Sequence, residues 1–223
     1  MFQVMRLKED DEVTLVFDDG IKRLARVLDV EARQFELVEE LDDNVELPVQ
    51  VTIASGFPKG DKLEFITQKV TELGASQILA FPADWSVAKW DGKKLSKKVE
   101  KLEKIALGAA EQSKRNVVPS IQLFENKADF LAQLDQFDSI VVAYEESAKE
   151  GEAAALLQAV TGLETGGKLL FIFGPEGGLS PAEIESFETK GAVLAGLGPR
   201  ILRAETAPLY ALSALSVLLE LEK

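Results

Sequence analysis

The chain has 223 residues, 46% of them hydrophobic and 28% charged, with no cysteine, no histidine and a formal net charge of −13. This is the composition of a globular chain with room for one large domain, or for a small one followed by a medium one. The missing residue types exclude disulfides, thiolate nucleophiles, Cys-bound metals, a Ser-His-Asp triad and any imidazole base. Proton transfer is left to a carboxylate, Lys, Tyr or an Arg-assisted water.

No basic segment followed by an apolar one opens the chain at Met1-Phe2-Gln3-Val4-Met5-Arg6. The longest apolar stretch, 207–219, is shorter than the ~20 residues of a membrane crossing, and Ser213 and Ser216 interrupt it. A soluble cytoplasmic protein is expected.

Residues 1–48 read as a small β module. Strand-like runs at 12–17, 24–30 and 34–38 alternate partially, and Asp18-Asp19-Gly20 between the first two is a hairpin signal. Their spacing predicts a small barrel. An acidic stretch, Glu39-Glu40-Leu41-Asp42-Asp43-Asn44, closes the module before Pro48.

From 49 to 223 the rhythm becomes strand, helix, strand, helix. Strands are predicted at 49–55, 76–81, 118–123, 139–144, 168–173 and 192–197, and helices at 62–73, 93–113, 127–136, 151–161, 181–189 and 207–221. Apolar runs alternating with amphipathic segments predict a parallel sheet with crossover helices. Asp61 with Glu64, and Ser180 with Glu183, have the spacing of capping boxes, and Pro181 falls at a first helical position. Gly74 and Gly191 stand where left-handed terminators belong.

Charge is uneven. Between Lys89 and Arg115 nine basic residues face four acidic ones, although the whole chain is acidic. Such a face can steer a phosphate chain, or it can be a solvated helix with snorkelling lysines.

Ligands of parallel sheets bind beyond the carboxyl ends of the strands. After 168–173 comes Gly174-Pro175-Glu176-Gly177-Gly178-Leu179, a tight turn with exposed backbone amides able to hold a nucleoside or anion. It also reads as a plain glycine-rich turn. After 192–197 comes Gly198-Pro199-Arg200-Ile201-Leu202-Arg203-Ala204-Glu205-Thr206-Ala207, whose arginines suit phosphate or carboxylate, or form a pair with Glu205 that ties down the loop. Tyr144-Glu145-Glu146-Ser147 follows a third strand. Two motifs are rejected. Gly162-Leu163-Glu164-Thr165-Gly166-Gly167-Lys168 resembles a P-loop, but Leu169 replaces its Ser or Thr and it precedes a strand. Gly196-Leu197-Gly198 begins a dinucleotide fingerprint, but Ile201 replaces its third glycine.

Taken in order, Lys59-Gly60-Asp61-Lys62, Gln68-Lys69-Val70-Thr71-Glu72-Leu73-Gly74, Ala110-Glu111-Gln112-Ser113-Lys114-Arg115 with Pro119, and the two loops above resemble the RsmE-type small-subunit ribosomal RNA methyltransferases of the SPOUT superfamily. The likeness covers nearly the whole chain. It departs at the start, where the family carries a further stretch before the segment matched by Val4-Met5-Arg6, so a shortened first domain without an edge strand is expected. The resemblance implies a PUA-like RNA-binding β-barrel over 1–48 and a SPOUT domain over 49–223 with a C-terminal trefoil knot. It further implies homodimers that use S-adenosyl-L-methionine, without metal, to methylate N3 of a uridine in the decoding region of 16S rRNA in the small ribosomal subunit.

Carried onto this sequence, Tyr144, Phe173, Gly174, Pro175, Glu176, Gly177, Gly178, Leu197, Gly198, Ile201, Leu202, Arg203, Thr206 and Ala207 would hold the cofactor. Arg203 would stabilise the developing uridine anion. Glu205 would be the general base or orient Arg203, with the orienting role preferred. Arg6, Lys94, Lys97, Lys98, Lys101, Arg115 and Arg200 would contact RNA. Two other classes stay open on the residues alone: a nucleotide-dependent metabolic enzyme, which the acidic charge favours, and a non-catalytic ribosome-binding module.

Overall fold

The computed structural model describes residues 7–144 and 158–221. Two compact units divide it. One runs up to Glu46 and includes Lys114–Val117; the other comprises Leu47–Ser113 and the chain from Val118 onward.

The first unit carries the antiparallel strands β1 (Glu12–Val16), β2 (Lys22–Asp29) and β3 (Gln34–Leu41), paired in the order β1-β2-β3. The hairpin at Asp18-Asp19-Gly20 forms: Gly20 takes φ of 73° and Ile21 N donates to Asp19 Oδ1 at 2.9 Å. Lys114–Val117 was expected in the second domain, yet it groups with the first. Its side chains give the reason. Asn116 Nδ2 donates to Gly20 O and Asp43 O at 2.9 and 3.1 Å, and the Arg115 guanidinium pairs with Glu46.

In the second unit all six strands are parallel, in the order β6-β5-β4-β8-β7-β9. They are β4 (Gln50–Gly56), β5 (Gln77–Phe81), β6 (Ser120–Leu123), β7 (Ser139–Ala143), β8 (Lys168–Phe173) and β9 (Val193–Ala195). The helices are α1 (Lys62–Glu72), α2 (Gly92–Gln112), α3 (Lys127–Leu131), α4 (Pro181–Thr189) and α5 (Ala207–Ser216), the last running on as a wider turn over Val217–Leu221. The helix expected at 127–136 is broken into α3 and a 3₁₀ turn, Leu134–Gln136. That expected at 151–161 falls mostly outside the described residues, and its described end, 158–161, is helical.

Why the sheet is buried on both faces can be read in β8. Leu169, Phe171 and Phe173 join Ile66 and Val70 of α1 and Leu212 and Leu215 of α5 in one core. Leu170 and Ile172 point the other way, to Phe130 of α3 and Ile184 and Phe187 of α4. There Phe81 and Phe130 stack at 4.1 Å, and Phe187 meets both edge-on at 6.1 Å. Each such ring contributes about 1.5–3 kcal/mol on burial, so this pair of cores rigidly positions the strand ends.

The caps divide. Ser180 and Glu183 form the full capping box at α4. Asp61 and Glu64 do not: Asp61 makes no side-chain cap bond, and Glu64 instead accepts from Lys101 at 2.6 Å. Gly74 and Gly191 end their helices at φ of 100° and 83°. The stretch 162–168 leads into β8, so its amides open no helix.

Candidate functional site

Glycine chemistry shapes the bend after β8. Gly178 N donates to Pro175 O at 2.9 Å with Gly178 at φ 79°, closing a tight turn. A Cβ on Gly174 would lie 2.8 Å from the Gly178 carbonyl carbon, and one on Gly177 would lie 3.0 Å from Trp85 Cβ. The turn therefore folds onto itself and onto the loop after β5, with backbone where side chains ordinarily stand.

The loop after β9 enters α5 through Thr206 N and Ala207 N, which both bond Arg203 O, at 2.8 and 3.0 Å. Gly198 stands at φ 88°. Together these bends enclose a cavity of about 510 Å³ at the carboxyl ends of β7 and β8. Of the residues expected at a cofactor, Tyr144, Phe173, Gly174, Pro175, Gly178, Leu197, Gly198, Ile201, Leu202 and Ala207 line it. Arg200, expected at RNA, lines it too, as do Trp85 and Ala204, which sequence reasoning missed. Glu176, Gly177, Arg203 and Thr206 are not among its walls.

Glu176 has other work. Lys59 N donates to its Oε1 at 3.1 Å, and Lys62 Nζ lies 3.0 Å from the same oxygen. The Lys62 ammonium also sits 3.0 Å from Glu205 Oε2. That oxygen is buried and has no hydrogen bond of good geometry, so Lys62 satisfies it as an ion pair. The pairing holds the Lys62 ammonium above its usual range, through Glu205 first and Glu176 second. Burial pushes the Glu205 carboxyl up, but the Lys62 bond, its own backbone amide and the charges of Lys62 and Arg203 outweigh it and leave it low. Glu176 is likewise lowered: burial raises it, while backbone amides and Lys62 prevail. Glu205 is thus a paired carboxylate. Arg203 itself is exposed.

A second polar cluster fastens Trp85. Asp84 N donates to Glu183 Oε1 at 2.9 Å, and Ser180 Oγ donates to Asp84 Oδ2 at 2.5 Å. Lys127 pairs with Asp84 and reaches Glu183 Oε1 at 3.3 Å. Lys127 and Ser180 hold the Asp84 carboxyl below its ordinary value, against a weaker effect of burial.

The basic residues separate into three situations. Lys94 and Lys97 stand exposed on α2, and Lys97 makes no ion pair among the described residues. Lys98 Nζ lies 4.3 Å over the Trp90 ring, and Lys101 pairs with Glu64. Arg115 departs from expectation. It is 5% exposed, with its guanidinium committed to Glu46, so it presents no charge to a nucleic acid. Arg6, Glu145, Glu146 and Ser147 lie outside the described residues.

Among the described residues no cluster of acidic side chains has the makings of a metal site, and no helix is long and apolar enough to cross a membrane.

An RNA methyltransferase domain family matches residues 45–216, and an RNA methyltransferase PUA domain family matches 1–40. The chain is 49% identical over 220 residues to the ribosomal RNA small subunit methyltransferase E of Bacillus subtilis, covering 98% of this chain and 86% of that protein. It is 30% identical to the Mycobacterium bovis protein of the same name, covering 96% of this chain and 81% of the other. The crystal structure of the Neisseria gonorrhoeae enzyme of that name, bound to S-adenosyl methionine, superposes with a TM-score of 0.79 at 26% identity, covering 97% of this chain and 87% of that one.

Proposed function

Since the chain belongs to the ribosomal RNA small subunit methyltransferase E family, we propose that it transfers a methyl group from S-adenosyl-L-methionine to N3 of a uridine in the decoding region of 16S rRNA, in the cytoplasm and as a homodimer. One observation carries the reading: the glycine bend after β8 and the arginine loop after β9 wall a single cavity.

The cavity fits an adenosyl sulfonium. Phe173, Leu197, Ile201, Leu202 and Ala207 supply apolar surface, while the glycines leave backbone groups that can pair with a nucleoside without side chains. When bound, the cofactor supplies an electrophilic methyl, which needs neither a metal nor an enzyme nucleophile. Placement of the target nitrogen then supplies most of the acceleration. Arg203, exposed between the cavity-lining Leu202 and Ala204, is the cation for the uridine anion that forms as N3 gives up its proton to solvent. Glu205, already paired with Lys62 and feeling Arg203, has the orienting role. Arg200 at the cavity and Lys94, Lys97, Lys98 and Lys101 on α2 bind phosphates, which offsets the few kcal/mol spent in unstacking the uridine.

We read the loop 197–207 as part of a SPOUT trefoil knot. The homodimer reading is supported by the apolar residues left exposed on and beyond α5: Tyr210, Val217 and Leu221.

Calorimetry with S-adenosyl-L-methionine followed by primer extension on 30S subunits tests the function. Saturable binding and a cofactor-dependent stop at one uridine are expected. An intact chain that bound no cofactor would overturn it.

A further inference from the structure

Resting on that reading, we propose that Trp85 is the surface on which the extruded pyrimidine, or the base beside it, stacks as it approaches the methyl donor.

Three observations point there. Trp85 lines the same cavity as the two bends, yet 49% of it is exposed. Phe173 is 2% exposed and Tyr144 half-buried, so the aromatic surface deep in the cavity belongs to them and Trp85 is the ring at its open side. Ile201, 78% exposed, lines the same cavity, so the open apolar surface there is a patch and not a lone side chain.

The ring is also held in place. Asp84, next in the chain, is fastened through its backbone amide to Glu183 and through its carboxylate to Ser180 and Lys127. Glu183 is fully buried and spans Asp84 N and Ser180 N, at 2.9 and 2.8 Å. From the other side, positions occupied by a Cβ on Gly177 or Gly178 fall 3.0 Å from Trp85 Cβ and 3.9 Å from its benzo ring. Three polar contacts thus fix Asp84, and two glycines close against the ring beside it. The arrangement immobilises a flat apolar group in the free protein, which lowers the entropy lost when a base stacks on it. Arg200, exposed on the same cavity, places a cation where the phosphate of that nucleotide would pass.

The test compares Trp85→Ala and Trp85→Phe with the wild-type chain, using S-adenosylhomocysteine for calorimetry and 30S subunits for methyl transfer. Trp85→Ala is expected to raise the KM for subunits about 5- to 150-fold, the loss of one stacked base. Affinity for S-adenosylhomocysteine should stay within about twofold, and Trp85→Phe should recover most of the loss. In a Trp90→Phe background Trp85 is the chain's remaining indole. Its fluorescence should be quenched by a uridine-containing single-stranded RNA when S-adenosylhomocysteine is present. Loss of S-adenosylhomocysteine affinity in Trp85→Ala would make the ring a cofactor wall and overturn the proposal, as would an unchanged KM. A wild-type chain that bound no S-adenosylhomocysteine would fail before any substitution; the methyltransferase reading would fall first and this proposal with it.

Discussion

Lys62 Nζ and Glu205 Oε2 lie 3.0 Å apart, and the same ammonium stands 3.0 Å from Glu176 Oε1. One lysine from the first turn of α1 therefore ties the bend after β8 to the loop after β9. Two carboxylates brought this close without a cation would repel, and the bends carrying them would part. The lysine also explains why Glu205 is poorly placed to accept a proton: it already has a permanent partner.

Replacing Lys62 with Ala should loosen both bends together. Each pair is partly solvated, so the expected loss is modest, about 5- to 10-fold in affinity for S-adenosyl-L-methionine by calorimetry. Lys62→Arg should retain most of it. Equal affinity in Lys62→Ala and the wild type would show that the bends hold themselves.

The same trio sets a pH dependence. Glu176 and Glu205 are lowered below the ordinary 4.5, so their contribution is whole above that value and lost as pH falls through the lowered ones. Lys62 is raised above 10.5, so its contribution persists below that value and disappears only as pH climbs through the raised one. Cofactor affinity should be level from about pH 5.5 to about pH 9 and should fall in acid. A titration limb near neutrality in calorimetry would contradict this pairing.

Gly174→Ala places a methyl 2.8 Å from the Gly178 carbonyl carbon and 3.0 Å from its Cα, both backbone atoms. The turn must open, at a cost of about 1–3 kcal/mol, and cofactor binding should drop at least about tenfold. Gly108→Ala is the counterpart. It meets nothing within 4 Å in the interior of α2, and should stabilise the chain by about 0.5–1 kcal/mol in urea.

Lys94→Glu with Lys97→Glu removes two exposed charges without breaking an ion pair seen among the described residues. The slope of log affinity for RNA against log salt should shrink by about 0.7–0.9 for each lysine that touches a phosphate. Lys101→Glu would also lose Glu64, so its effect would mix folding with binding. An unchanged slope in the double variant would make α2 a solvated face.

Arg115→Ala leaves Glu46 facing the backbone amides of Asn116 and Val117, without its buried cation. We expect a stability loss of about 3–5 kcal/mol by denaturant unfolding. The salt slope for RNA should be unaffected in the folded fraction. A stable variant with a shallower slope would return Arg115 to the nucleic-acid face.

Much of this was legible residue by residue. Ser180, Pro181 and Glu183 announce α4 because capping is settled within one turn of chain. The apolar runs of β4, β5, β7 and β8 announce a parallel sheet because both their faces must be buried. The bends at 174–179 and 198–207 stand out because each follows an apolar strand at the carboxyl edge where parallel sheets bind ligands, and each carries glycine and proline that leave backbone amides exposed. Asp61 and Glu64 have the same spacing as the box that formed, but Lys101 offered Glu64 a charged partner instead. Arg115 read as one more basic residue, since nothing nearby in the chain reveals that Glu46 waits to bury it.

Periodicity, caps and turn chemistry act over a few residues, so the chain alone located most of its strands and helices and the two bends that wall the cavity. Tertiary structure decided which charges meet. Lys62 between Glu176 and Glu205, Trp85 behind Gly177, and Arg115 against Glu46 are partners distant in sequence. Their pairing depends on strand order and on low-dielectric surroundings that exist only once the sheet has closed over its cores.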